Sequence, residues 1–112
     1  MRRAVVLVLA AMVAGCGGVK PLTKNDPVLS TASAKSPKDF AQCVQTRWTD
    51  INVHVAASQK SDSYSVFLPD VSEGMVVLMV AKPLGIGTQA EVYERAGVVG
   101  MDEFKAAVHR CI

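Results

Sequence analysis

Met75 to Ala81 is apolar at every position, the pattern of a strand covered on both faces. The stretches around it alternate instead. Ser63 to Leu68 sets Tyr64, Val66 and Leu68 on one side, and Gln89 to Arg95 sets Ala90 and Val92 against Glu91 and Tyr93. Ile51-Asn52-Val53-His54-Val55 alternates as well and predicts a half-buried first strand. Polar or Gly/Pro-rich turns separate these runs at Ser58–Asp62, Pro69–Gly74 and Pro83–Gly87.

The period changes at both ends of this region. Ser36 suits a helix N-cap, Pro37 the first helical position and Asp39 the first turn. Phe40, Cys43, Val44 and Trp48 then follow at helical spacing, so a helix is predicted to end near Trp48 or Thr49. Met101 to Cys111 predicts a second helix. Phe104, Ala107, Val108 and Cys111 make its apolar face, with Asp102 and Glu103 at its start and His109 and Arg110 at its end. The expected fold is α+β: a four-stranded antiparallel meander in the order αββββα, with both helices packed on one face.

That arrangement leaves one sheet face open. If Met75, Val77 and Met79 point inward, Val76, Leu78 and Val80 point outward, and Phe67 and Tyr93 alternate to the same side. Phe67, Val76, Leu78, Val80 and Tyr93 are therefore the candidate interface, for an envelope protein partner or a second copy. The competing reading is that sheet curvature, the segment before residue 37 or the Pro83–Thr88 loop covers these side chains.

The N-terminal pattern belongs to export rather than to a fold. Met1-Arg2-Arg3 is followed by an uncharged apolar run, Ala4 to Ala14, and then by Gly15-Cys16. The run is shorter than the roughly 20 residues that span a bilayer. Val13-Ala14-Gly15-Cys16 resembles the lipobox of bacterial lipoprotein precursors. The resemblance implies a diacylglyceryl group on the Cys16 thiol, cleavage before Cys16 and N-acylation of the new terminus. Gly17 in place of Asp implies, by the enteric sorting rule, the outer membrane, facing the periplasm. The mature part is similar to small lipoproteins of Gram-negative bacteria through Cys43, Trp48 and Cys111, a likeness that carries no functional residues.

The expected organisation is a signal peptide over 1–15, a lipidated cysteine and tether over 16–36, and a domain over 37–112. The tether is rich in Gly, Ser, Thr, Lys and Pro, reads as flexible and would reach roughly 25 Å. Pro27-Val28-Leu29 could instead pack on the domain as an extended arm. With Cys16 assigned to lipid, Cys43 and Cys111 remain, one on each apolar helix stripe, in a chain expected to meet an oxidising compartment. They predict a disulfide joining the helices, against the rival readings of free buried thiols or a redox pair.

Charge and chemistry add little. The net charge is +2, and Arg2 and Arg3 fall in the export segment, so the mature part is nearly neutral. Neither nucleic acid nor a polybasic membrane mode is indicated. His54 and His109 stand apart from other metal ligands, so no metal or other cofactor is expected. Gly85-Ile86-Gly87-Thr88 lacks the lysine of a phosphate loop and reads as a turn. Glu91 and Glu94 fall on opposite strand faces, a poor pair for acid/base work. The expected function is non-catalytic: a membrane-anchored module acting through the open sheet face. The alternatives are an inhibitor of a secreted hydrolase such as lysozyme, or a cell-wall enzyme.

Overall fold

The computed structural model describes residues 22–70, 74–97 and 100–112. The export segment, the lipobox and Cys16 lie outside the described residues. The chain forms a short 3-10 turn (Leu22–Lys24), strand β1 (Leu29–Ser33), helix α1 (Pro37–Ile51), strands β2 (Ala56–Lys60), β3 (Ser63–Asp70), β4 (Gly74–Leu84) and β5 (Gly87–Glu94), and helix α2 (Asp102–Arg110). The class is α+β, with one open antiparallel sheet ordered β1-β5-β4-β3-β2.

Four strands were expected, and the described residues form five. The fifth is β1, in the stretch read as flexible tether. It pairs antiparallel with β5, Leu29 opposite Val92 and Ser33 opposite Thr88. Its composition is polar because it is an edge strand with partners on one side only. Thr88 ties it down further. Its hydroxyl is buried and donates to the Lys35 carbonyl at 2.8 Å.

The first meander strand is also displaced. Ile51–Val55 is not a strand. Helix α1 continues through Ile51, and β2 begins at Ala56, just beyond the expected strand, and runs on through Lys60 into the expected Ser58–Asp62 turn. Val44, Trp48 and Ile51 lie four and then three residues apart, so Ile51 prolongs the helical stripe. The helix starts as expected, with Ser36 Oγ accepting from the Asp39 amide at 3.2 Å and Pro37 in the first turn.

Both helices contribute to one core. Phe40, Val44 and Trp48 of α1 and Phe104, Ala107 and Val108 of α2 pack with Val66, Leu68, Val77, Met79, Ala81, Ala90 and Val92 of the sheet. Trp48 is fully buried. Its indole nitrogen donates to the Phe104 carbonyl at 3.0 Å, and its ring meets the Phe104 ring edge-on at 5.1 Å. The Cys43–Cys111 disulfide joins α1 to the residue that closes α2, with the Cα atoms 5.8 Å apart. Burying both apolar helix stripes against the same sheet face leaves the opposite face to other cover.

Candidate functional site

The open face is assembled by the register of the meander. Ala56, Phe67, Leu78 and Tyr93 lie in one cross-strand row, and Ser65, Val80 and Glu91 in the next. Side chains in such a row stand about 5 Å apart, close enough for the apolar members to touch. Phe67, Leu78, Val80 and Tyr93 thus come together as the alternation predicts.

Val76 does not join them. It packs against the helix-side core, and Met75 takes the open face. The cause is a bulge. Leu68 pairs with Val77, but the next pair is Pro69 with Met75, so Val76 is the extra residue. Pro69 has no N–H to donate to the ladder, and strand prolines are confined to edges, strand starts and bulges. The extra residue reverses the facing of everything before it in β4. Pro69, which opens the expected Pro69–Gly74 turn, is the signal of the bulge in the sequence.

Leu22 is the other residue that sequence reasoning missed. The 3-10 turn lies on the open face, where Leu22 is buried with Leu78 and Tyr93, while Phe67, Met75 and Val80 pack around them half-buried. The part of the chain expected as tether therefore covers the middle of the patch and leaves its rim half-buried. A single leucine in a polar segment carries no period, so composition alone does not reveal it.

The patch has one polar handle. The Tyr93 hydroxyl donates to Glu91 Oε1 at 3.1 Å. Burial, together with the hydrogen bond to Glu91 and its negative charge, raises the Tyr93 pKa above its ordinary value. The phenol therefore stays neutral on the apolar face. Asp70 and Arg95 form an ion pair that joins the ends of β3 and β5 beside the patch.

The remaining candidates are placed apart. Glu91 is on the open face, whereas Glu94, by alternation, faces the helix side, with one carboxylate oxygen buried and unpartnered in the structure. His54 lies in the exposed loop after α1 and His109 on exposed α2. Among the described residues no group of three or more His, Cys, Asp or Glu is placed to hold a metal, and no helix is long and apolar enough to cross a membrane. The Gly85–Ile86 segment is a two-residue hairpin turn, closed by the Leu84–Gly87 pair. Between α1 and α2 runs a groove of about 520 Å³ edged by Arg47, Asp50, Glu103 and Arg110, whose charges cancel in sign.

No protein-family model, curated protein or solved structure matches the chain.

Proposed function

We propose that the chain is an exported lipoprotein, anchored through Cys16 to the outer membrane on its periplasmic side, and that it docks an envelope protein through the open sheet face. The observation that supports docking is the second apolar cluster. Phe67, Met75, Leu78, Val80 and Tyr93 sit on the face opposite both helices, and Leu22 covers only its centre. Exposed apolar surface gathered in one place, with polar residues beside it, is characteristic of interaction sites. The role is binding, with no chemical step assigned to the chain.

The partner meets the half-buried Phe67, Met75 and Val80 around the Leu22 seat, beside Ser58, Ser65 and Glu91. Apolar contacts at the centre would carry most of the affinity, and the rim would set orientation. The test is in-cell crosslinking and affinity capture of the full-length protein against a Phe67→Ser, Val80→Asp form. Both side chains are only half-buried, so the fold should survive their replacement. Loss of a captured protein from a variant that keeps its native circular dichroism would support docking here. Equal capture by both forms would refute it. Capture only of further copies of this chain would replace the partner with self-association.

A further inference from the structure

The β4–β5 hairpin ends in an apolar tip that the docking face does not use. Ile86 is 98% exposed and Leu84 is 53% exposed. The tip is held firmly. Gly85 takes the positive φ that a tight turn requires. At its base Gly87 lies so close to β1 that a Cβ there would sit 2.2 Å from the Ser33 carbonyl oxygen. A rigid apolar tip loses little conformational freedom when it inserts into another phase.

The surroundings of the tip are basic. Lys82 lies two residues before Leu84, Lys35 is fixed at the hairpin base through Thr88, and Lys38 shares a shallow groove with Pro83 and Asp62. Lys60 ends β2 on the same side of the molecule. Against these four lysines, Asp39 and Asp62 are the acidic residues at this end among the described residues. The fold gathers charges that are dispersed along the sequence. An apolar tip within a lysine collar fits an anionic lipid surface, whose negative potential attracts basic side chains close to it.

The position of the N-terminal arm fits the same surface. Leu22 is seated on Leu78 and Tyr93, and six residue steps separate it from Cys16. Extended chain covers at most about 20 Å in six steps. From Leu78 to Ile86 the strand advances roughly 26 Å. With the strands upright on the membrane, that leash is no longer than the strand advance, so a chain anchored at Cys16 keeps the tip within reach of the lipid surface, where apolar groups of interfacial segments settle.

We infer that the β4–β5 hairpin tip inserts Leu84 and Ile86 into the anionic lipid surface that holds the Cys16 acyl chains. The sheet then stands upright, and its open face looks sideways along the membrane. This rests on the lipid-anchoring reading above and adds an orientation to it.

The test uses the full-length lipidated protein in vesicles of phosphatidylethanolamine and phosphatidylglycerol with brominated acyl chains. An Ile86→Trp form is compared with a Val53→Trp form. Val53 is 78% exposed and lies in the loop at the other end of the sheet. Trp48 is buried in both and gives a constant background. The expected result is a blue shift and at least about two-fold stronger lipid quenching for Ile86→Trp. Equal quenching of the two forms, or stronger quenching of Val53→Trp, would overturn the inference. Intact mass separates the two failures. A protein without acyl chains removes the anchoring reading itself, whereas a lipidated protein with an unquenched tip removes the insertion alone.

Discussion

Tyr93 shows how one side chain can be both core and surface. Its ring closes the apolar cluster with Leu22 and Leu78, and its hydroxyl reaches Glu91. The folded state holds the phenol neutral more firmly than the unfolded chain does, where the ordinary value is 10.0. The stability this gives is fully present below pH of about 10 and is lost as pH rises through the higher folded-state value. An alkaline titration followed by phenolate absorbance should show one tyrosine ionising late, with unfolding favoured beyond that point. Glu91→Gln removes the charge and should bring the late titration closer to normal, though not fully, because burial is the larger cause. An unchanged midpoint in that variant would mean that the Glu91 contact has no part in the shift.

Among the elements, the β2–β3 hairpin carries a local strain. Ser61 has φ of 60° without being glycine. A left-handed conformation costs an ordinary residue roughly 1 kcal/mol, so Ser61→Gly should stabilise the domain by up to about that amount despite the greater freedom of the unfolded chain. A rise of a few degrees in Tm would follow, and a fall would show that the Ser61 side chain contributes more than its backbone costs. The Gln59 side chain donates to the Ser61 carbonyl, a bond that the substitution keeps.

Element by element, the sequence was legible where one period acted alone. The apolar run of β4, the alternation of β3 and β5, and the capped stripes of both helices each have a single reading. At Ile51–Val55 two periods compete. Alternation suggests a strand, but the spacing of Val44, Trp48 and Ile51 continues the helix, and the packed helix prevails. Strand β1 was hidden because its pairing information resides in β5. Alternation also places Phe67, Leu78, Val80 and Tyr93 on one sheet face, where the structure has them, with Leu78 and Tyr93 buried there. It failed at Val76 because a bulge shifts facing by one residue, and strict alternation cannot show where an extra residue enters.

For the whole molecule, the Cys43–Cys111 crosslink adds to the stability of the packed core by restricting the unfolded chain. It spans 68 residues, and a loop of that length gives about 4 kcal/mol in the chain-entropy treatment. A Cys43→Ala, Cys111→Ala form should lose much of that in chemical denaturation, with the midpoint falling accordingly. Wild-type protein in strong reductant should behave alike. A loss below about 1 kcal/mol would mean that packing of α1 on α2 already restricts the unfolded chain.

The covalent ring closed by that crosslink contains β2 to β5 and most of both helices. It does not contain β1 or the Leu22 turn, which precede Cys43. The N-terminal arm can therefore peel from the sheet while the ring stays folded. Its release breaks the pairing of β1 with β5, the Thr88–Lys35 hydrogen bond, the packing of Leu29 on the core and the seat of Leu22. Freeing residues 22–35 would lengthen the leash by roughly 45 Å of contour. Under the lipid anchoring proposed above, a domain held close to the membrane by a folded arm would then extend in a single step well beyond its resting reach.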